Sequence, residues 1–286
     1  MVKTGNLCKI VIGIAAALFL ALPALAAPEL PVTIDGTDYP GGVRLIGGTS
    51  YVALREFAGE AGEAEVLWDP VLREASVESD ALSLRIRDGG QLIEANGRAL
   101  WCPSPAFAED GTLWVPLRQT SAAFGFRCDY DGAAHAVRLT REAEAIEAAA
   151  TFYDPDALCW LSRIIEAEAG AEPFAGKLAV GTVILNRIDS PEFPSTVYDV
   201  VFDTKNGVQF TPTANGTIWC DPSPDSSLAA AACLEGYRMS GDMLYFINEE
   251  LAESFWVPTF CRYITTVGNH DFYGDQYILS KTDSLM

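Results

Sequence analysis

The chain has 286 residues, with 39 acidic against 19 basic side chains and a formal net charge of −20. That length accommodates two modest domains, each with a core of its own. The charge argues against binding to nucleic acid or to an anionic membrane, since an acidic surface repels both.

Residues 1–26 read as a cleaved secretory signal. Lys3 and Lys9 precede the apolar run "IVIGIAAALFLALPALA", which ends in the A-x-A-like Ala24-Leu25-Ala26. The run is short for a membrane span, and Cys8 lies ahead of it rather than at a lipid-attachment site. Without this segment the chain holds 17 basic and 39 acidic groups, net −22, which suits a soluble exported protein. Six cysteines remain: Cys102, Cys128, Cys159, Cys220, Cys233 and Cys261. An even number in an exported chain predicts disulfides, with Cys102 and Cys128 paired in the first domain and the pairing of the other four open.

An internal repeat follows. "GTSYVALREFAGEAG" (Gly48 to Gly62) aligns with "GTLWVPLRQTSAAFG" (Gly111 to Gly125). Each copy leads to an aromatic-Asp pair, Trp68-Asp69 and Tyr130-Asp131, and then to an alternating run, "EASVES" and "HAVRLT". The pattern predicts two strand–helix–hairpin units packed together. It resembles the copper amine oxidase N-terminal-like domain, a stalk module, over residues 27–140. A lone histidine, His135, does not make a copper site, and the resemblance implies a spacer or wall-attachment role, dispensable for catalysis.

The stretch 141–153, "REAEAIEAAATFY", is rich in Ala and Glu and is expected to be a helical linker. The second domain is placed at 154–275, with 276–286 as a tail. Asp154 and Pro155 predict a helix start, and Gly170 its end. Along this helix Leu158, Leu161, Ile164, Ile165 and Glu168 share one face. Glu166 falls on the wetter side. Glu168 is the odd residue, an acid on the core-facing stripe. Two readings compete: a rim carboxylate paired with an arginine, or a general acid whose pKa burial raises. Next, "EPFAGKLAVGTVILNR" is apolar nearly all round and predicts a central helix. Ser195 is a candidate N-cap, "GVQFTPTANGTIW" a polar-aromatic loop, "SSLAAAACLEGYRM" a helix and "DMLYFINEE" a short strand.

"EAEAGAEPFAGKLAVGTVILNRIDSPEFPST", "VQFTP", "LYFIN" and "VGNHDFYG", in that order, resemble the cell-wall hydrolase family of the spore cortex-lytic enzymes. The resemblance implies an α+β chain: a two-repeat β/α stalk, then a mainly helical lysozyme-like domain that cleaves peptidoglycan glycan strands. The expected location is outside the cell, in the cell wall or spore envelope. In that family the first Glu of E-A-x-x-E-P is the catalytic acid, here Glu168. Glu172, Asn186, Arg187, Gln209, Phe210, Tyr245 and His270 are expected to line or support the substrate cleft. The family usually shows "EARGEP" where this chain reads "EAGAEP", so the arginine is missing. No cofactor or metal is expected.

Hydrolysis of a glycosidic bond ordinarily uses two carboxylates. A lytic transglycosylase uses one acid/base, and the sugar's own C6 hydroxyl closes an anhydro ring. The lone acid on the apolar face and the resemblance both point to the transglycosylase, with a two-carboxylate muramidase as the alternative. Asp221 or Asp271 would be the distant second acid. Trp219 and Trp256 are candidates for stacking on sugars. A Cys159–His270 peptidase lacks an activating setting. Two histidines provide no H-E-x-x-H zinc site, and no G-x-S-x-G elbow occurs. A non-catalytic wall-binding protein is the rival of another class.

Overall fold

The computed structural model describes residues 30–62, 64–205, 207–248 and 256–276. The signal segment and all but the first residue of the expected tail lie outside the described residues.

The first half holds β1 (Val32–Ile34), β2 (Thr37–Asp38), β3 (Val43–Ile46), β4 (Thr49–Ala53), α1 (Leu54–Gly62), β5 (Val66–Asp69), β6 (Glu74–Glu78), β7 (Ser83–Arg87), β8 (Leu92–Ala95), β9 (Arg98–Trp101), β10 (Phe107–Glu109), β11 (Thr112–Pro116), α2 (Leu117–Ala123), β12 (Phe126–Asp131) and β13 (Ala136–Arg141). The repeat is visible as β4-α1-β5-β6 and β11-α2-β12-β13. Its two lead strands pair antiparallel, Trp114 opposite Ala53 and Val115 opposite Val52. Three sheets result, ordered β10-β11-β4-β3, β12-β13-β1-β2 and β5 through β9. Alternation aims Ala75 and Val77 of β6, and Val137 and Leu139 of β13, into the core. Phe57 is buried against the ring edges of Tyr39, Phe124 and Phe126. The repeated aspartates shape the hairpin turns. Asp69 Oδ1 accepts from the amides of Val71 and Leu72, and Asp131 Oδ1 from those of Ala133 and Ala134. His135 sits in the second of these turns, its Nδ1 3.1 Å from the Tyr130 hydroxyl.

None of the six cysteines is paired. The expected Cys102–Cys128 bridge is not formed. Cys102 is buried just past β9 and Cys128 lies on β12, in a different sheet. Flanking one helix in sequence did not bring the two thiols onto one sheet.

The bridging stretch is also not the expected helix. Only α3 (Ala149–Phe152) is helical. Main-chain bonds to the first domain capture the rest. Glu142 N donates to Gly125 O, Ile146 N to Ala123 O and Ala149 N to Asn96 O, while Asn96 Nδ2 donates to Ile146 O. Local helix propensity yields to these tertiary partners.

The second half contains α4 (Pro155–Ala169), α5 (Phe174–Asp189), α6 (Val197–Val201), α7 (Thr211–Asn215), a 3-10 turn (Thr217–Trp219), α8 (Pro224–Leu234), β14 (Tyr245–Ile247), α9 (Trp256–Phe260), β15 (Cys261–Val267) and β16 (His270–Gln276). Helix α5 is buried on nearly every side and packs against α4, α6 and α8. A Cβ at Gly181 would lie 2.7 Å from Cys233 Sγ and 3.0 Å from Ile165 Cδ1, so glycine permits the close approach of α4 and α8. Asp154 caps α4 as expected, accepting from the amides of Asp156 and Ala157. Thr196, not Ser195, caps α6, through a bond from Asp199 N. The three-stranded sheet β14-β16-β15 closes over α5.

The halves meet along a built seam rather than a free tether. Arg98 of β9 donates through Nε and Nη2 to Glu235 at 2.6 and 2.8 Å, and the Tyr153 hydroxyl donates to Glu235 Oε1 at 2.7 Å. The Arg98 guanidinium lies 3.3 Å from the Phe152 ring centroid, and Trp101 meets Tyr237 at 4.4 Å.

Candidate active site

The stretch from Ile164 to Gly176 carries three carboxylates, and the fold treats each differently. Glu166 is not on a wet face. Its Oε2 accepts from Ser223 N at 3.0 Å, Ser223 Oγ at 2.6 Å and Ser226 Oγ at 2.7 Å, tying α4 to the start of α8. The Ser223 and Ser226 hydroxyls hold its carboxyl below the usual range.

Glu172 sits between α4 and α5. Asn269 donates to it from its amide at 3.1 Å and from Nδ2 at 2.8 Å, and His270 Nδ1 lies 3.8 Å away. Burial pushes this carboxyl up, but Asn269, His270 and Lys177 outweigh burial and leave it below the usual range. Gly268 makes the contact possible. Its φ of +61° turns the β15–β16 hairpin, and a Cβ there would collide with Glu172 Oε2.

Glu168 lies one residue from the end of α4, half-buried, with neither a hydrogen bond nor an ion pair among the described residues. Burial alone pushes its pKa up to about 7. Nothing nearby compensates the desolvated charge, which favours the protonated acid near neutral pH.

Five of the other expected residues join one network on the α5 side. The Arg187 side chain, 5% exposed, donates through Nε to Leu244 O at 2.8 Å and faces the rings of Phe193, Phe210 and Tyr245 at 4.9, 5.1 and 5.4 Å. Burial lowers its pKa to about 10. Phe210 meets Phe246 at 6.3 Å, and Phe246 meets His270 at 5.4 Å. His270 in turn faces Glu172. Burial pushes the His270 imidazole down, against the opposing pull of Glu172 and Asp271. Asn186 Nδ2 donates to Met243 O at 3.0 Å and so holds the strand leading into β14. Gln209 stays outside this network, with its Nε2 bonded to Gly207 O at 3.1 Å.

Trp219 is 63% exposed and packs on Trp160 at 5.4 Å, while Trp256 faces Tyr245 at 5.6 Å. Cys159 is exposed on α4, whereas His270 lies against Glu172. A cleft of about 1220 Å³ follows the seam between β7–β9 and α4, α5 and α8, and Glu168 does not line it. The candidate site is therefore defined by its unpaired acid rather than by cavity size.

One residue escaped the sequence reading. Lys177 of α5 is only 4% exposed. Its Nζ donates to Ala169 O at 2.7 Å, Gly170 O at 2.6 Å and Glu172 O at 3.3 Å. A single lysine in an otherwise apolar helix was the available signal. Gly170 does not end α4 with a left-handed cap, since its φ is −55°. A Cβ there would lie 2.9 Å from Glu166 Oε1, so any larger residue at 170 must displace Glu166. Lys177 brings a cation to the turn that carries "EAGAEP".

A helical domain presenting one desolvated, unpartnered carboxyl has the makings of a general-acid site. Residues 171–273 match the Cell Wall Hydrolase family, and residues 35–139 match the Copper amine oxidase N-terminal domain family. The chain thus carries a cell wall hydrolase domain in its second half and a copper amine oxidase N-terminal-like domain in its first. Among curated proteins it is similar to the spore cortex-lytic enzyme of Oceanobacillus iheyensis, 35% identical over 120 residues covering 42% of each chain. It is also similar to that of Bacillus cereus, 32% identical over 120 residues covering 42% of this chain and 45% of that one. The chain spans less than half the length of these relatives. Among solved structures it is similar to the catalytic domain of the germination-specific lytic transglycosylase SleB from Bacillus anthracis, at 32% identity and a TM-score of 0.39, covering 43% of this chain and 98% of that one. The catalytic domain of the Bacillus cereus SleB protein matches at 32% identity and a TM-score of 0.39, covering 43% of this chain and 93% of that one.

Proposed function

We propose that the chain is a peptidoglycan-cleaving lytic transglycosylase with Glu168 as its general acid and base. The observation that carries this reading is the division among the three acids. Glu166 and Glu172 are bonded and held ionised, while Glu168 is unpartnered with a pKa of about 7. Glu168 gives its proton to the glycosidic oxygen as the bond from muramic C1 breaks. The carboxylate then takes the proton of the same sugar's C6 hydroxyl as oxygen 6 closes on C1. The product is a 1,6-anhydro end, no water is consumed, and Glu168 is reprotonated.

The muramidase alternative needs a second free carboxylate. Glu172 is occupied by Asn269 and is 7% exposed at its side chain. Asp221 pairs with Arg163 at 3.1 Å, and Asp271 accepts from the Thr266 hydroxyl. The burial and bonding of Glu172 favour the one-carboxylate route. In this reading the network of Asn186, Arg187, Phe210, Tyr245 and His270 supports the substrate-binding side of the domain, with Glu172 bonded to it through His270 and Asn269. Gln209, whose Nε2 donates to Gly207 O, remains a candidate sugar contact.

The relatives' name supports spore cortex as a substrate, and vegetative wall stands beside it. The wider proposal takes 1–26 as an export signal, 27–140 as the stalk, 141–153 as the connection and 154–275 as the catalytic domain, with the protein in the wall or spore envelope. The stalk serves wall attachment. Digestion of wall in ¹⁸O-labelled water tests the chemistry. Anhydro ends free of label are expected. Reducing muramic ends carrying label would replace the transglycosylase with the muramidase, and no release of fragments would leave the wall-binding protein.

A further inference from the structure

Helix α4 ends at Ala169, one residue past Glu168, and the carbonyls of its last turn then lack helical partners. A left-handed glycine cap would satisfy them, but Gly170 remains right-handed. Pro173, with no amide hydrogen, contributes no donor. The Gly170 amide donates to Glu166 O at 2.9 Å and the Glu172 amide to Ala169 O at 3.0 Å, and one ammonium from the next helix adds the bonds that tie this turn together. Lys177 Nζ reaches Ala169 O, Gly170 O and Glu172 O together, in a place where its side chain is nearly sealed from water. A positive charge there also opposes the negative end of the α4 dipole. The three carbonyls belong to the residues one, two and four positions beyond Glu168.

We infer that Lys177 is a positioning residue for the reaction: it clamps the end of α4 and thereby sets where the Glu168 carboxyl projects. The inference rests on the proposed role of Glu168. Its electrostatics are consistent with that role. Lys177 helps keep Glu166 and Glu172 ionised but does not figure among the influences on Glu168, so the clamp leaves the proton on the one acid that transfers it.

The test uses the full chain, soluble glycan strands as substrate and three variants. Lys177→Met keeps length and removes all three donors. With the fold verified by near-ultraviolet circular dichroism, kcat is expected to fall about 30-fold with KM within about threefold, as for a misplaced catalytic group. Lys177→Gln retains two donors and is expected to fall in between. Folded Lys177→Met with kcat within about threefold of the parent would overturn the inference. Should Lys177→Met not fold, Lys177→Gln decides: parental kcat overturns the inference, and a loss of about threefold or more at unchanged KM supports it. Glu168→Gln separates this from the underlying reading. If Glu168→Gln stays active, the general-acid reading and the inference fail together. If it is inactive while Lys177→Met is fully active, only the inference fails.

Discussion

The two halves handle polar groups in opposite ways. In the sheet domain, charge is paired at the surface, as in Arg44 with Glu109, Arg73 with Asp88 and Arg87 with Glu74. Its fully buried polar residues, Thr120 and Ser121, are satisfied by their own helix, through Pro116 O and Arg118 O. The helical domain buries Lys177, Arg187, Ser162, Thr182 and Ser226. Lys177, Arg187 and Ser226 bond to other elements. Such groups are costly to bury unless bonded; among the described residues the buried side-chain atoms left without a hydrogen bond are Tyr39 Oη, Trp114 Nε1 and His270 Nδ1, and Glu168 is a half-buried carboxyl with no bonding partner. The contrast separates a domain that keeps its charges at the surface from one that packs a lysine and an arginine into its interior and leaves Glu168 half-buried without a partner.

The strongest way to break this comparison is Glu168→Gln. The variant should fold normally and lose wall cleavage by about 10³-fold, the scale expected for removing a general acid. Release of dye from labelled peptidoglycan measures it, and near-parental clearing would move the role to another residue. Next in size is the seam. Glu235→Ala strands Arg98, whose side chain is only 11% exposed, and removes the acceptor of Tyr153. Loss of one partner of a buried pair should lower stability by about 3–5 kcal/mol in urea unfolding. A loss below about 1 kcal/mol would make the seam equivalent to the surface pairs.

The pH dependence sharpens the contrast further. The folded pKa of Glu168 is raised to about 7, above the ordinary 4.5. Its protonation therefore favours the fold fully below the ordinary value, and that contribution is lost as pH rises through 7. Glu168→Gln should gain stability relative to the parent by about 3 kcal/mol between about pH 4 and pH 8. A flat difference across that range would mean that the carboxyl is solvated. The smallest effect belongs to the first domain. Arg87→Ala, which removes the surface pair with Glu74, should shift stability by less than about 0.5 kcal/mol by the same unfolding assay.

The sequence by itself determined the repeat units, the start of α4 and the odd acid. Period-two alternation and the aligned repeats foretold β4-α1-β5-β6 and β11-α2-β12-β13, because strand faces and turn aspartates are local matters. Asp154 with Pro155 marked the start of α4, and helical spacing put Glu168 on its apolar face, for the same reason. Tertiary structure alone decided which acids are neutralised by partners. Ser223 and Ser226 reach Glu166 from 57 and 60 residues away, and Asn269 reaches Glu172 from 97. It also decided that 142–148 is not helical and that Cys102 and Cys128 lie in different sheets, since long-range hydrogen bonds and sheet order settle both. Spacing along one helix shows which way a side chain points. Whether a donor waits there depends on residues that only folding brings near.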